Sequence, residues 1–514
     1  MTAINANKPL ELTRIGKTGW SYLFNAVAGA VLALAFAPVN GYLLPYLSLV
    51  VLLYSLPFAA RPRHAFLMGF CFGCGFFTMG ISWVYVSLHY FGGGNMWLAA
   101  GLTLLLIAYM ALFCGLTTYL YRILFAGPIR GLGIVGFASL WVLAEWLRSW
   151  LLTGFPWLLL GFSQVNAPLA GFAPIVGAYG VSWLLCFQAG CLVLGVQRGL
   201  RTGGGYYYLL ALIVLLIGIC LQSINWTQAA GHPIRVSLVQ GNIPQSVKWE
   251  SGRAQMIIQR YVSLSTPYWD SDLIVWPESA IPIPLPYAHN ITALLQEMAL
   301  SHNTTLVTGI PQQTAQGEYQ NALIALGASQ GEYSKRHLVP FGEYLPLGHL
   351  LAIFHRWIDI PMAGMRPGPS HPQPLQLAQI TFLPLICYEV GYPELFNTDW
   401  HHTQALITIS DDAWFGHSFA QAQQLQIGQF RALQMGRYLL AGTNNGITAI
   451  IDAHGKITHT IPAFSAGVLQ GELQPMQGIT PWQYLGFRFW VACFAAILLL
   501  CCYLDRQLTG NKHT

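Results

Sequence analysis

Charged side chains are scarce in this sequence. Asp, Glu, Lys and Arg make up 8% of its 514 residues, whereas about 25% is usual for a soluble protein. The shortage is concentrated in the first part of the chain, where Glu11 and Glu145 are the two acidic residues that precede His232, out of 19 in total. This distribution excludes a single soluble domain. It indicates a membrane-embedded part followed by a globular part.

Runs of basic residues and metal-binding motifs are also missing. The net charge is +5 and it is dispersed along the chain, which excludes a nucleic-acid partner. Cys71 and Cys74 lie in an apolar run without a second pair of ligands, and the adjacent His401 and His402 lack the spacing of a helical metal motif. We therefore expect neither a metal nor another cofactor.

Eight apolar segments have the length of a membrane helix, which is roughly 20 residues. Seven precede the globular part and one follows it. The sequence thus predicts a membrane bundle of seven helices over 1–226, a globular domain over 227–486, and an eighth helix with a tail over 487–514. The apolar segments are 20–37, 42–58, 65–88, 96–121, 131–152, 172–197, 206–224 and 487–504.

Lys and Arg residues in short loops predict the orientation in the membrane. With the N-terminus in the cytoplasm, eleven of these residues lie inside, and Arg148 and Arg488 lie near the outer face. Seven spans then place 227–486 on the opposite side, which is the periplasm if the membrane is a bacterial inner membrane. A eukaryotic secretory membrane would place it in the lumen. The inner residues are Lys8, Arg14, Lys17, Arg61, Arg63, Arg122, Arg130, Arg198, Arg201, Arg506 and Lys512.

Glu145 and Arg148 are three residues apart and therefore share one helix face. A structural ion pair at a helix end and a contact with substrate both explain a charged pair at this place. The surrounding segment 145–162 is rich in Trp and Phe, as is typical of a membrane interface.

The globular part alternates short β-rich runs with helix-like stretches, and continuous apolar strands flanked by helices predict an α/β layered domain with buried sheets. The predicted strands are 235–240, 272–276, 304–310, 321–327, 380–387, 405–410, 438–443 and 448–457, and the predicted helices are 251–265, 289–302 and 418–435.

Three reactive side chains stand where predicted strands end: Glu278, Lys335 and Cys387. Each has an ordinary explanation, respectively a solvated loop acid, an exposed basic residue beside Arg336, and a buried inert thiol. Together they supply a base, a cation and a nucleophile. A carboxylate can take the proton of a thiol that attacks a carbonyl carbon, and an ammonium can stabilise the thiolate and the resulting oxyanion.

The segments around these residues resemble a known family. "WPES", "HLVPFGE" and "CYE", in this order, are similar to the Glu–Lys–Cys triad of the nitrilase, or carbon–nitrogen hydrolase, superfamily. The resemblance is closest to its membrane-bound branch, the apolipoprotein N-acyltransferases. One residue departs from the family pattern, because Asp411 stands where Asn is expected. The other matching segments are "VQGNIPQSVKW" (239–249), "IVWPESAIP" (274–282), "LVTGI" (306–310), "SDDAWFG" (410–416), "TNNGITA" (443–449), "ISWVYVS" (81–87) and "LTGFPW" (152–157).

This resemblance implies a polytopic helical membrane bundle of eight spans with an αββα sandwich domain. It implies that Glu278 is the general base, Lys335 the oxyanion-stabilising cation and Cys387 the nucleophile. Four supporting residues match positions that the family needs: Glu343 supports Lys335 electrostatically, Tyr388 and Glu389 shape the nucleophile turn, and Trp249 belongs to a substrate-facing loop.

The resemblance also implies the reaction. An acyl chain from a phospholipid, typically phosphatidylethanolamine, forms a thioester on the cysteine. The α-amine of S-diacylglyceryl-cysteine at the N-terminus of an apolipoprotein then attacks that thioester, which completes lipoprotein maturation by a ping-pong mechanism. The expected partners are these two substrates and the surrounding membrane lipids, and the enzyme is expected to be a monomer in the bacterial inner membrane.

Two other classes of protein remain as alternatives. A membrane-anchored amidase or nitrile hydrolase would use the same triad with water as the acceptor, but a soluble substrate would need one anchor rather than eight spans. A transporter or lipid-binding protein would carry a degenerate domain, which an intact triad argues against.

Overall fold

The computed structural model describes residues 10–125, 129–250, 252–314, 316–344, 364–396 and 401–510. It contains a helical bundle and an α/β domain, which is inserted in the chain between the bundle helices Gly204–Gln222 and Pro481–Gly510. The bundle helices are α1 (Leu10–Ala33), α2 (Leu44–Ser55), α3 (Pro62–Ile81), α4 (Met96–Leu124), α5 (Gly131–Arg148), α6 (Ala173–Arg198), α7 (Gly204–Gln222) and, after the domain, α11 (Pro481–Gly510).

The predicted polytopic bundle is confirmed. Among the described residues, six helices are long and apolar enough to cross a membrane, while two apolar helices, Gly19–Ala33 and Leu44–Phe58, are shorter. The count of eight crossings therefore stays a prediction. The six long helices are Pro62–Ile81, Met96–Leu124, Gly131–Arg148, Pro168–Arg198, Gly204–Gln222 and Pro481–Leu508.

The α/β domain contains two six-stranded sheets. The first has the strand order β13-β2-β3-β4-β5-β6 and the second the order β12-β11-β10-β9-β8-β7. Its strands are β2 (Ile234–Gln240), β3 (Leu273–Val275), β4 (Thr305–Gln313), β5 (Tyr319–Gly327), β6 (Gly331–Ser334), β7 (Leu375–Leu377), β8 (Ile380–Ile386), β9 (Ala405–Ser410), β10 (Tyr438–Thr443), β11 (Thr448–Ile451), β12 (Ile457–Ile461) and β13 (Gly467–Leu473); β1 (Gln228–Ala229) and β14 (Met476–Gln477) form a separate ribbon.

Helices cover both outer faces of the paired sheets. The first sheet packs against α8 (Ala254–Ser265) and α9 (His289–Ser301), and the second against α10 (Ala420–Met435). Strand β10 contacts β2 across the interface between the sheets. The predicted αββα sandwich is confirmed, and its core forms because the central strands are apolar on both faces, as in "LIV" of β3.

The sequence missed several strands of this sandwich. Strand β13 pairs antiparallel with β2 along its whole length, but its two glycines weaken the β pattern. The predicted strand run 448–457, for which the sequence indicates a turn at His454 and Gly455, corresponds to β11 and the first residue of β12, and the turn at Gly455 joins these two strands.

Helix α10 connects the sandwich to the bundle. It is rich in glutamine, yet six of its glutamines are buried because the helix lies between the second sheet and the bundle. Gln423 accepts hydrogen bonds from the indoles of Trp83 (3.2 Å) and Trp157 (2.7 Å) and donates to the carbonyl of Gly80 (3.1 Å). Buried polar groups need such partners, so these contacts fix the domain on one end of the bundle.

Three connections of the bundle meet the domain at this end. The chain after α1 contacts it through Ala37, whose N–H donates to Gln426 Oε1 at 3.1 Å. The end of α3 contacts it through Gly80, and the loop that follows α5 contacts it through Trp157. Because these three helices run towards the domain, the helices between them run away from it, as a polytopic bundle requires.

Glu145 and Arg148 do not form the ion pair that their spacing suggested, and no salt bridge joins them among the described residues. Glu145 Oε1 instead accepts hydrogen bonds from the backbone N–H of Leu160 (2.9 Å) and from Trp141 Nε1 (3.1 Å). Arg148 donates from Nη1 to the carbonyl of Trp157 at 2.7 Å. Both charged groups therefore hold the loop that follows α5.

Candidate active site

Cys387 lies directly after β8, at the first position of a short helical turn, Cys387–Gly391. Its φ angle is +54°, which is a left-handed conformation that costs strain for a residue with a side chain. Its side chain is buried. The strand thus ends in a sharp turn that begins at the buried Cys387.

Glu389 holds this turn in place. Its Oε2 accepts hydrogen bonds from Ile386 N–H and from the Tyr333 hydroxyl, both at 2.8 Å. Its Oε1 accepts from the backbone N–H groups of Arg336 (2.7 Å) and His337 (3.0 Å). Burial raises the pKa of Glu389, and these backbone donors oppose the rise. One buried carboxyl group therefore connects the nucleophile turn to the segment that follows Lys335.

Glu278 comes shortly after β3, with Trp276 and Pro277 between them. Its Oε1 accepts a hydrogen bond from Asn321 Nδ2 at 2.6 Å, and its Oε2 accepts one from the backbone N–H of Asp411 at 2.8 Å. The residue is 6% exposed. A buried carboxylate with two hydrogen-bond donors is held in one orientation.

Lys335 follows β6 and is fully buried. Its Nζ lies 2.9 Å from Glu343 Oε1 and 3.5 Å from Glu278 Oε1. Burial lowers the pKa of Lys335, but the charges of Glu343 and Glu278 outweigh this effect and raise it above its ordinary value. The ammonium is therefore charged at neutral pH, as an oxyanion-stabilising cation must be.

Glu343 and Asn321 complete this cluster. Glu343 Oε2 accepts a hydrogen bond from the backbone N–H of Val339 at 2.8 Å, which fixes the loop after Lys335. Asn321 Nδ2 donates both to Glu278 and to Glu343 Oε1, the latter at 2.8 Å. Nothing in the sequence singles out Asn321, because one polar residue near the start of an apolar strand is common.

The Cys387 thiol is electrostatically coupled to this cluster. Burial, followed by the charge of Glu278, raises its pKa well above the ordinary value, whereas Lys335 lowers it. The resting thiol is thus protonated and needs a base to become a nucleophile. The structure therefore brings together Glu278, Lys335 and Cys387, which the sequence predicted from three separate strand ends.

Tyr388 faces the membrane bundle. Its hydroxyl donates to the carbonyl of Gly154 at 3.1 Å, and its ring stacks near Phe155 and Trp157, with centroids 6.2 and 6.3 Å away. The Tyr392 hydroxyl donates to the same carbonyl at 2.9 Å. Tyr388, the residue after Cys387, therefore packs against the loop that follows α5.

Trp249 is half-buried and follows a short helix, Gln245–Lys248. When the Gln245 amide is oriented to satisfy its neighbours, its oxygen accepts from Trp249 Nε1 and its nitrogen donates to Asp411 Oδ2, both at 3.2 Å. Trp249 thus lies beside the loop that contains Asp411, but the structure does not join it to the triad directly.

Lys248 and Asp411 form a buried ion pair that the sequence did not predict. Lys248 Nζ lies 2.5 Å from Asp411 Oδ2 and donates to the backbone carbonyl of Glu278 at 3.0 Å. Asn444 Nδ2 donates to the other carboxylate oxygen of Asp411 at 2.9 Å. The residue that departs from the family pattern is therefore fully paired, and it orients Glu278 through both its backbone and Lys248. Within the described ranges, no group of three or more His, Cys, Asp or Glu residues could hold a metal ion.

Comparisons with known proteins match both parts of the chain. A family model described as the apolipoprotein N-acyltransferase N-terminal domain matches residues 28–191, and one described as carbon-nitrogen hydrolase matches residues 235–484. These matches agree with the resemblance inferred from the motifs.

Three relatives named apolipoprotein N-acyltransferase match nearly the whole chain. The Coxiella burnetii protein is 41% identical over 466 residues, which cover 89% of this chain and 95% of the relative. The Methylococcus capsulatus protein is 40% identical over 493 residues (96% and 97%), and the Pseudomonas aeruginosa PAO1 protein is 40% identical over 510 residues (97% and 99%). The chain therefore belongs to the apolipoprotein N-acyltransferase family, the membrane-bound acyltransferases of the carbon–nitrogen hydrolase superfamily.

Proposed function

We propose that this enzyme transfers an acyl chain from a phospholipid, such as phosphatidylethanolamine, to the N-terminal α-amine of S-diacylglyceryl-cysteine in apolipoproteins. The reaction proceeds through a thioester on Cys387. The observation that carries the proposal is the buried contact of Lys335 with Glu278 and Glu343 beside a protonated thiol. This cluster lies at the end of the domain that contacts the membrane bundle. Substrates with acyl chains are available there.

In the first half-reaction, Glu278 takes the proton of the Cys387 thiol, and the thiolate attacks the ester carbonyl carbon of the phospholipid. A C–S bond forms and the oxyanion is stabilised by Lys335. The ester C–O bond then breaks, and the proton held by Glu278 passes to the leaving alkoxide. The products are the acyl-enzyme and a lysophospholipid.

In the second half-reaction, the neutral α-amine attacks the thioester carbonyl carbon. A C–N bond forms, the C–S bond breaks, and the proton lost by the nitrogen returns to the Cys387 sulfur by way of Glu278. Free thiol and N-acylated lipoprotein result. Glu343 keeps Lys335 in place in both steps through the contact at 2.9 Å.

The same proposal places the protein in the bacterial inner membrane with its catalytic domain in the periplasm. The bias of Lys and Arg residues towards the predicted inner loops supports this orientation. The connections after α1, α3 and α5 support it as well, because all three meet the domain at one end of the bundle.

Intact-mass analysis of the purified enzyme tests the thioester. We expect a mass increase equal to one acyl group after incubation with phosphatidylethanolamine, its removal by hydroxylamine, and no adduct on Cys387→Ala. Normal turnover by Cys387→Ala would refute the assignment of the nucleophile. Release of ammonia from small amides without any acyl adduct would instead identify a membrane-anchored amidase.

A further inference from the structure

Asp412 is a buried carboxyl group beside the nucleophile that the triad does not use. It is 2% exposed and begins the short turn Asp412–Phe415 after β9. Its Oδ1 has no hydrogen-bond partner among the described residues. Its charge nevertheless acts on the Cys387 thiol, whose pKa it raises together with burial and Glu278. A buried polar group without a partner is costly and therefore calls for an explanation.

Asn445 is a second polar side chain of the same kind. It is 6% exposed, and its Oδ1 also has no hydrogen-bond partner within the part of the chain that the structure describes. Asn445 directly precedes Gly446, against which the Asp412 carboxylate packs: a Cβ atom on Gly446 would lie 1.9 Å from Asp412 Oδ2. The two unpartnered oxygens thus belong to neighbouring loops.

Sheet topology explains why these loops meet at the nucleophile. Strands β8, β9 and β10 are parallel neighbours, with Ile386 paired to Ile409 and Ser410 paired to Thr443. The carboxyl ends of parallel strands lie at the same edge of a sheet. Cys387 follows β8, Asp412 follows β9, and Asn445 follows β10.

A site whose free groups are oxygen acceptors fits a ligand that only donates hydrogen bonds. A primary ammonium has three N–H donors and no acceptor, and its charge complements a carboxylate. No Lys, Arg or His side chain forms a salt bridge with Asp412 among the described residues, whereas its neighbour Asp411 is paired with Lys248. No described residue supplies the donor that Asp412 Oδ1 lacks, and the ammonium group of a ligand can supply it.

We propose that Asp412 and Asn445 bind the amino group of the acceptor and that Asp412 takes its first proton. This inference rests on the proposed function, in which an α-amine attacks the thioester on Cys387. The α-amine arrives mostly as an ammonium, because its pKa is about 8 in peptides. It gives one proton to the Asp412 carboxylate, and the neutral amine then forms the C–N bond. Its second proton returns to the Cys387 sulfur through Glu278, and Asp412 later releases its proton to water.

Burial prepares Asp412 for this exchange. Burial, with the nearby carboxylates of Asp411 and Glu278, raises the pKa of Asp412 well above its ordinary value. A carboxylate with a raised pKa is a better proton acceptor, and an incoming cation stabilises its charged form.

The headgroup of phosphatidylethanolamine also carries a primary ammonium, so the test must separate the two substrates. The acceptor is favoured because its nitrogen has to reach the carbonyl carbon bound to Cys387, whereas the headgroup nitrogen is separated from the reacting ester by the phosphate and the glycerol. The two half-reactions are measured separately on Asp412→Asn and Asn445→Ala. Asp452→Asn serves as a matched control, since Asp452 lies in a distant turn and accepts from His454 N–H and Lys456 N–H.

We expect Asp412→Asn to form the thioester at the wild-type rate from either phosphatidylethanolamine or phosphatidylglycerol. Transfer to an S-diacylglyceryl-cysteinyl peptide should fall by about 10²–10⁴, which is the usual effect of removing a general base. Hydroxylamine, an uncharged nucleophile, should still release the acyl group at the wild-type rate. Asn445→Ala should raise the KM for the peptide more than it lowers kcat.

Three results would overturn this inference. Slower thioester formation from phosphatidylethanolamine alone, with normal transfer, would assign the site to the donor headgroup. Equal slowing of both half-reactions in Asp412→Asn would show that Asp412 has a structural role. Normal rates of both half-reactions would show that the site binds solvent and not the amine. Thioester formation by the wild-type enzyme is measured first, before any variant. If the wild-type enzyme formed no thioester, the proposed function itself would be refuted.

Discussion

The membrane bundle and the catalytic domain both bury charged side chains, but they neutralise them in different ways. In the bundle, Glu145 and Arg148 each bind the backbone of the following loop, at Leu160 N–H and at the Trp157 carbonyl. In the domain, Lys335 contacts two carboxylates directly, and all three side chains are buried beside a thiol. Charges that bind backbone hold a loop, whereas charges that bind one another can redistribute protons during a reaction.

The two arrangements also depend on one another. The loop held by Glu145 and Arg148 contains Gly154, whose carbonyl accepts the Tyr388 hydroxyl next to the nucleophile. The structural charges of the bundle thus position the surface on which the catalytic turn rests. Substitutions in the domain should therefore change chemistry without changing folding, and substitutions in the bundle should do the reverse.

The largest effect is expected for Glu278→Gln. Glutamine keeps the size of the side chain but cannot accept the thiol proton, and loss of a general base costs about 10²–10⁴ in rate. Thioester formation, followed by intact mass against time, should fall by this amount while thermal stability in detergent stays at the wild-type value. Glu332→Gln, at an exposed position of β6, is the matched control. Accumulation of acyl-enzyme at the normal rate would transfer the role of base to Glu343 or Glu389.

Lys335→Arg should have the next largest effect. Its Nζ is in close contact with Glu343 at 2.9 Å in a fully buried site, and the larger planar guanidinium does not reproduce a compact charge. Loss of an oxyanion donor costs about 10²–10³ in rate, so Lys335→Arg should be nearly as impaired as Lys335→Met. Steady-state transfer of a labelled acyl chain measures both variants. Near-normal activity of Lys335→Arg would mean that only the charge matters at this position.

These residues show how far the sequence could predict the site. Glu278 and Cys387 were recognisable because each follows an apolar run, and the resemblance to a known family united them with Lys335. Lys248 and Asp411 were not recognisable as a pair, since 163 residues separate them and they stand in two different segments of the sequence. Their contact depends on the packing of the two sheets, which no local pattern reveals.

Prediction of the fold from the sequence is limited in the same way. Long apolar helices and β-rich runs predicted the bundle and the sandwich, because hydrophobic pattern and length determine such elements locally. The orientation of the domain on the bundle depends on the polar face of α10, where Gln423 binds Trp83 and Trp157. A glutamine-rich helix normally suggests a solvent-exposed surface, so its burial could not be predicted from the sequence.

Arg148→Met tests the bundle side of the comparison. The substitution removes the donor to the Trp157 carbonyl and leaves this buried acceptor unsatisfied, which costs about 1–3 kcal/mol of the free energy of unfolding. Thermal unfolding in detergent should show the loss, while thioester formation per folded molecule should change less than in Lys335→Arg. The matched control is Arg198→Met, because Arg198 is exposed at the end of α6. A chemical defect in a fully stable Arg148→Met enzyme would instead indicate a contact between Arg148 and substrate.

Tyr388→Phe should have the smallest effect, because it removes one of two donors to the same carbonyl. Gly154 still accepts the Tyr392 hydroxyl at 2.9 Å, and the ring of residue 388 can keep its stacking near Phe155 and Trp157. A neutral hydrogen bond contributes about 0.5–1.5 kcal/mol, which corresponds to at most about a tenfold change in rate. Tyr388→Ala also removes the ring and should be markedly slower in both half-reactions. An equal loss of rate in Tyr388→Phe and Tyr388→Ala would mean that the hydroxyl itself takes part in the reaction. The turn at Cys387 would then depend on more than its packing against the bundle.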